Sequence, residues 1–395
     1  MNEPTTSPTV RTRLGNYELV RLLAQGGMAD IYLAKQLGIG AFERYVAVKV
    51  LNTARAADPD SCMLFLDEAR VLAMLNHANL AGVFEVDRSD GVHWLAMEYV
   101  HGADLRDLLA HAERAETPIP YETAVAIIMG AAAGLDHAHR RCGPDGRPMR
   151  LVHRDVSLSN IMVCHDGTVK VVDFGIAIAS VSSHHTNPGI VRGKASYMSP
   201  EQALGDSVDL RTDVFALGVV LYELTTGRRC FQGNSDFERM LAVVRGDFVA
   251  PSDLIPSFPV ALEKVIKTAL ATDASKRYPS AAALFEALER VALVEGWNTT
   301  TASIAAMMTE LYGVVPEPFG QVATQEITGG MVLDEAPLTA SATPAPQPTV
   351  VITRPRRIAR GTESDEVVED CDDHDDQPTR GRRSMPKMFS ARYAA

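Results

Sequence analysis

His153-Arg154-Asp155-Val156-Ser157-Leu158-Ser159-Asn160, followed by Asp173-Phe174-Gly175, is the stretch that decides how this chain folds. Between its two parts lie the apolar runs Ile161-Met162-Val163 and Val169-Lys170-Val171-Val172, on either side of Asp166-Gly167. A turn former between two such runs is a hairpin signal, so Asp155, Asn160 and Asp173 sit on loops flanking short strands. One carboxylate so placed is able to take a proton from a hydroxyl nucleophile. An amide oxygen and a second carboxylate suit Mg2+, a hard cation that takes oxygen ligands and keeps positions open for phosphate. Taken singly, each of these residues is more often a turn former.

Upstream, Leu23-Ala24-Gln25-Gly26-Gly27-Met28-Ala29-Asp30-Ile31 lies between two runs of strand character. Glycines in a hairpin let the backbone approach a phosphate with N–H groups facing the anion, although a glycine-rich hairpin alone is usually just a turn. Val46-Ala47-Val48-Lys49 then closes an apolar strand on a lysine. An inward ammonium needs a partner, because an isolated buried charge is costly. Glu68 is the candidate, on a helix that the pattern predicts over Pro59–Leu75. Phe65, Ala69, Leu72 and Leu75 share one face of it, and Asp58-Pro59 stands at its start. Tyr17–Val20, Ile31–Ala34, Tyr45–Val48 and His93–Met97 read as short strands. From about Ala103 the periodicity becomes helical, over Thr123–His139 and over 209–226, 234–246, 259–271 and 279–293.

Together, and in this order, these residues resemble the protein kinase family, of the Hanks-type (eukaryotic-like) serine/threonine class found in bacteria. The resemblance runs over roughly residues 17–290 and takes in Met198-Ser199-Pro200-Glu201-Gln202-Ala203 and Leu217-Gly218-Val219-Val220-Leu221-Tyr222-Glu223-Leu224. It implies an α+β, bilobal protein kinase-like fold with a small mostly-β N-lobe and a larger mostly-α C-lobe. The implied activity is that of an ATP- and Mg2+-dependent serine/threonine protein kinase acting on protein substrates. Leu23, Ala24, Gly26, Gly27, Met28 and Ala29 would cover the ATP phosphates. Lys49, held by Glu68, would pair with the α- and β-phosphates. Ile31, Ala47 and Met162 would sandwich adenine, Glu98 and Val100 would offer backbone groups to its edge behind the gatekeeper Met97, and Asp104 would reach the ribose. Asp155 would orient the substrate hydroxyl and accept its proton, with Asn160 and Asp173 binding Mg2+. Glu201 is expected to pair with Arg277 of Ser275-Lys276-Arg277-Tyr278. Asp213 is expected to brace the catalytic loop, a role compatible with capping its helix. Arg154 before Asp155 implies regulation by autophosphorylation in the activation segment, with Ser180, Ser182, Ser183 and Thr186 as sites and Thr186 preferred.

Some positions depart from the family pattern. Ala24 and Ala29 replace the first and third glycines of the loop, which costs little unless φ must be positive. Ser157 stands where a lysine is usual, and Lys194 stands where a threonine is usual; the inference is that Lys194 returns the missing charge. The Gly/Pro-rich insertion from Arg140 to Arg150 is expected to be a surface hairpin. A pseudokinase that binds nucleotide with weak catalysis is the alternative reading, motivated by the altered loop and Ser157. A small-molecule phosphotransferase on the same fold is a third, against which the Ser-Pro-Glu segment and Arg277 point to a protein platform.

The 395 residues carry a formal charge of −12 and are 46% apolar, which excludes wholesale disorder and gives no support to binding of nucleic acid by overall charge. Five scattered cysteines without a CxxC pair predict reduced thiols, and no segment reaches the length of a membrane span, so a cytoplasmic protein is expected. The expected organisation is a disordered N-terminus over 1–15, an N-lobe over 16–100, a C-lobe over 101–295, a helical extension over 296–320 and a disordered charged tail over 321–395. That tail carries basic Arg354, Arg356, Arg357 and Arg360 and an acidic run from Glu363 to Asp376, a composition that stays solvated and is available to recruit partners.

Overall fold

The structure, a computed structural model, describes residues 13–39, 43–52, 58–89, 91–174 and 194–318. The chain divides after Glu326, and every described residue belongs to the first unit. The charged tail therefore lies outside the described residues, as do Gly175, Ser180, Ser182, Ser183 and Thr186 and the side chain of Lys194.

The first part is a six-stranded antiparallel sheet. Its strands are β1 (Arg13–Leu14), β2 (Tyr17–Gln25), β3 (Ala29–Leu37), β4 (Glu43–Leu51), then, after helix α1 (Pro59–Leu72), β5 (Val83–Ser89) and β6 (Val92–Glu98), in the spatial order β1-β2-β3-β4-β6-β5. Side chains alternate across a strand, and β4 shows what that does here. Val46 and Val48 pack on one face with Tyr17, Ala34, Trp94 and Ala96. Ala47 and Leu51 belong to the other face, with Leu95, Met97 and the α1 residues Phe65, Ala69 and Leu72. Lys49 falls between Ala47 and Leu51 in that alternation and so emerges on the side that carries α1.

Helix α1 starts as the sequence predicts. Asp58 is its N-cap, accepting from the Ser61 backbone N–H at 3.2 Å, with Pro59 in the first turn where no N–H is needed. It ends at Leu72 rather than Leu75. Met74 and Leu75 donate instead to the carbonyls three residues back, a tightened turn that still buries Leu75.

The second part opens on a three-stranded sheet, β7 (Gly102–Asp104) with β8 (Ile161–Cys164) and β9 (Val169–Val171), interrupted in sequence by α2 (Leu105–Arg114) and α3 (Tyr121–His139). Helices α4 (Pro200–Leu204), α5 (Arg211–Thr226), α6 (Asp236–Arg245), α7 (Pro251–Leu254), α8 (Val260–Ala269), α9 (Ala281–Glu295) and α10 (Thr301–Tyr312) complete it. Helices α3 and α5 are buried almost all round and form the centre of the helical part. The Asp166-Gly167 turn joins β8 to β9 with Gly167 at φ +86°, and a Cβ there would meet the Thr301 carbonyl of α10. At Gly134 of α3 a Cβ would lie 2.8 Å from the Asn79 carbonyl, so this glycine lets the segment between α1 and β5 close onto the helix. The Arg140–Arg150 insertion turns back on itself: Cys142 bridges to Pro148, and Met149 N–H donates to the Arg141 carbonyl. Among the described residues no helix is long and apolar enough to cross a membrane.

Candidate active site

Three charged side chains meet between the two parts. Lys49 Nζ donates to Glu68 Oε1 at 2.8 Å and to Asp173 Oδ1 at 3.1 Å. Burial alone would lower the Lys49 pKa, but the carboxylates of Asp173 and Glu68 outweigh it and raise it, so the ammonium stays charged. Asp173 stands at φ +52° and Arg154 at φ +65°, unfavourable backbone that persists only where the surroundings fix it.

Those surroundings start from Asp213 in the first turn of α5. Its Oδ2 accepts from the His153 N–H at 2.8 Å and its Oδ1 from the Arg154 N–H at 2.9 Å, while His139 Nε2 donates to Oδ2 at 2.7 Å. The His139 hydrogen bond and charge hold the Asp213 carboxyl below its usual range despite full burial. Asp213 is not the helix cap, a position held by Leu210. His153 passes the order onward: its Nε2 donates to the Val172 carbonyl at 3.1 Å and its ring packs against Phe174 at 4.5 Å between centroids. The residue next to Phe174 is Asp173. Asn160 Nδ2 donates to Asp155 Oδ2 at 2.9 Å and to the Asp155 carbonyl at 2.8 Å, which orients the carboxylate and leaves the Asn160 amide oxygen without a hydrogen bond among the described residues.

The glycine-rich turn joins β2 to β3. Asn52 clamps it, with Nδ2 donating to the Gly26 carbonyl and N–H to the Met28 carbonyl, both at 2.9 Å. A Cβ on Gly26 would approach the Ala29 carbonyl to 2.7 Å, whereas Gly27 has open space. Neither Ala24 nor Ala29 is at positive φ, so both alanines are accommodated without strain. Leu23 is half-buried beside Ala24, Ile31 lies opposite Ala24 and Lys49, and Ala47 lies opposite Met97. Asp104 lies opposite Met162 in the β7–β8 pairing and caps α2 through Asp107 N–H at 2.8 Å. The Glu98 N–H is engaged by the Gly82 carbonyl, while the Val100 N–H has no hydrogen bond among the described residues.

Several contacts have no signal in the sequence pattern. Glu98 binds Lys170 of β9 through both oxygens, at 2.7 and 2.9 Å, and also accepts from Gly82 N–H. Arg106 Nη2 donates to Ser159 Oγ at 2.5 Å, and Gln202 Nε2 donates to the Arg154 carbonyl at 2.9 Å. The anticipated Glu201–Arg277 contact is bidentate, at 2.7 and 2.8 Å, with the Arg277 side chain wholly buried. The Ser157 hydroxyl is buried and has no hydrogen-bond partner among the described residues.

The donor set fits the groups that the sequence reading implies. Asn160 and Asp173 would be the two oxygen ligands, and Mg2+ characteristically takes one or two carboxylate or amide oxygens and completes its shell with water and phosphate. Among the described residues no three His, Cys, Asp or Glu side chains cluster as a protein-only metal cage, and Cys62, Cys142, Cys164 and Cys230 form no disulfide there.

A small β-sheet part and a larger helical part around this ion-paired centre define a protein kinase fold. The protein kinase domain model matches residues 17–287, and the chain belongs to that family. It is similar to Tyrosine-protein kinase MasK of Myxococcus xanthus, 42% identical over 275 residues covering 70% of this chain and 43% of that protein. It is also similar to Serine/threonine-protein kinase PknB of Mycobacterium leprae, 39% identical over 292 residues covering 73% and 44%. The chain thus matches less than half the length of these curated relatives. Among solved structures, the PknI kinase domain of Mycobacterium tuberculosis superposes with a TM-score of 0.53 at 28% identity, covering 71% of this chain and 97% of that one.

Proposed function

We propose that the chain is an ATP- and Mg2+-dependent protein kinase that phosphorylates serine or threonine hydroxyls of proteins. The observation that carries the reading is the convergence of Lys49 with Glu68 and Asp173 beside a loop on which Asn160 orients Asp155. Lys49, fixed by Glu68, neutralises charge on the nucleotide phosphates. Asp155 aligns the acceptor hydroxyl and takes its proton, a contribution of about 10²–10⁴-fold in rate for a positioned base. The amide oxygen of Asn160 and the carboxylate of Asp173 hold the metal, which when bound screens the charge on the transferred group. Leu23, Ala24, Gly26, Gly27, Met28 and Ala29 cover the phosphates. Ile31, Ala47, Met162, Glu98, Val100 and Asp104 hold the nucleoside.

Relatives support the hydroxyl class unevenly, since one is named a tyrosine kinase and another a serine/threonine kinase. The overall resemblance to the bacterial serine/threonine class supports Ser/Thr. The proposal extends to the N-lobe and C-lobe limits at 16–100 and 101–295, to a signalling role in the cytoplasm where ATP is available, and to autophosphorylation in the activation segment. The test is transfer from γ-labelled ATP with and without Mg2+, followed by phosphoamino-acid analysis. Phosphoserine or phosphothreonine that requires Mg2+ is expected. Phosphotyrosine alone would move the chain to the other hydroxyl class. Labelling no greater than in an Asp155→Asn protein would favour a nucleotide-binding scaffold.

A further inference from the structure

A second opening lies beside the catalytic loop and away from the Lys49 centre. It is a cavity of about 1210 Å³ between α2, the start of α3 and the end of α5, and Leu158 and Ser196 are on its wall. Leu158 follows Asp155 by three residues on the same loop, so the cavity adjoins the loop that carries the proposed base.

The charge on that wall is unevenly placed. Arg106, Arg228 and Arg229 line it and all three are exposed. Arg106 is fixed toward the catalytic loop by its bond to Ser159 Oγ. Arg106, at the start of α2, and Arg229, after the end of α5, thus come from separate elements and line the same cavity as Tyr197. Glu223 also lines the cavity, but it is 4% exposed, and its carboxylate already accepts from Tyr197 Oη at 2.7 Å and from the Cys230 N–H at 3.3 Å. Glu113, Glu116 and Glu122 gather at the other end, around the connection from α2 to α3. Glu113 is about 10 Å along the helix from Arg106 at 1.5 Å per residue.

A separate observation points to a ligand. Ser196 lines the cavity and is 1% exposed, yet among the described residues its hydroxyl has no hydrogen-bond partner. Buried hydroxyls are nearly always satisfied, and a donor left open on a cavity wall is one that a ligand oxygen can complete. The volume exceeds what a single ion fills and suits several peptide residues.

We infer that this cavity receives an acidic stretch of the protein substrate, with Arg106 and Arg229 binding carboxylates that flank the acceptor hydroxyl and Ser196 donating to the same segment. The inference rests on the kinase reading and deepens it by naming the substrate class. Guanidinium groups are suited to it because their planar fork of donors matches a carboxylate.

The test uses the full chain with peptides that present one serine among aspartate and glutamate, among alanine and glycine, or among lysine and arginine. Acidic flanks are expected to give kcat/KM about tenfold or more above neutral ones, and Arg106→Glu and Arg229→Glu to abolish or reverse that ratio. A fluorescent acidic peptide with alanine in place of the serine reads binding without turnover; its affinity is expected to fall with added salt and to be lost in the two variants. Wild-type enzyme that is indifferent to flanking charge, or prefers basic flanks, overturns the inference. So does an acidic preference that survives both substitutions, which would locate the selectivity elsewhere. Binding of the acidic peptide without transfer to any peptide would sustain this surface and contradict the kinase reading; neither binding nor transfer would overturn both.

Discussion

Lys49 and Asp173, 124 positions apart in the chain, meet with Nζ 3.1 Å from Oδ1. The contact joins the face of β4 that carries α1 to a residue held at positive φ after β9. Glu68 completes it from the buried side of α1. Replacing Lys49 by methionine leaves two carboxylates facing each other with their shared cation gone. Removing one partner of a buried pair costs about 3–5 kcal/mol, so Lys49→Met is expected to lower both the transfer rate and the melting temperature. Calorimetry beside a rate assay checks this; a melting temperature equal to wild type would contradict the coupling.

Glu201 gives a pH dependence. Hydrogen bonds from Arg277 and Thr212 outweigh burial and bring its pKa down from 4.5 to about 2. A depressed carboxyl contributes stability that is complete above its unfolded value and is lost as pH falls through the folded one. The window is therefore from about pH 4.5 down to about pH 2, and the linked stability is roughly 3 kcal/mol. Denaturant unfolding at several pH values in this range is expected to show a steep loss for wild type and a shallower one for Glu201→Gln. Parallel curves would remove Glu201 from the account.

Asp213 is expected to act on catalysis through the loop it holds. Its two oxygens fix the backbone of His153 and Arg154 ahead of Asp155. In Asp213→Asn one acceptor becomes a donor, and one of those N–H groups, or His139, loses its partner. A displaced base is costly, up to about 10²-fold. The expected result is a fall in kcat with little change in KM for ATP, read from steady-state kinetics; a change confined to KM would contradict it.

Gly134 makes a purely structural prediction. A Cβ there meets the Asn79 carbonyl at 2.8 Å, so Gly134→Ala must move the segment between α1 and β5 off α3. Overpacking of this kind costs about 1–3 kcal/mol despite the better helix propensity of alanine. Chemical denaturation measures it, and an unchanged or raised midpoint would contradict the close approach.

Much of this was legible in the residues, and the limits of legibility have physical causes. β4 and β6 announce themselves because apolar side chains on both faces give unbroken runs. β5 was not legible: Val83–Ser89 carries Glu85, Asp87 and Arg88, as suits an edge strand, and Phe84 is partly covered by the Arg44 guanidinium 3.8 Å from its ring. Lys49, Glu68, Asp155, Asn160 and Asp173 were singled out through the family resemblance, and the fold brings Lys49 to Glu68 and Asp173, and Asn160 to Asp155. Arg106 with Ser159, Glu98 with Lys170 and Gln202 with Arg154 were not, since each joins elements whose closeness only the completed fold creates. The early end of α1 also escapes a pattern that counts apolar spacing, because Leu75 is buried with or without a helix to carry it.

The most direct test of the central claim is the single-turnover rate of phosphate transfer from γ-labelled ATP to a serine-containing protein, for wild type and for Asp155→Asn. The account predicts transfer by wild type and a loss of about 10²–10⁴-fold on removing the base, with nucleotide binding retained. Equal rates in the two proteins, or no transfer by either, would contradict it.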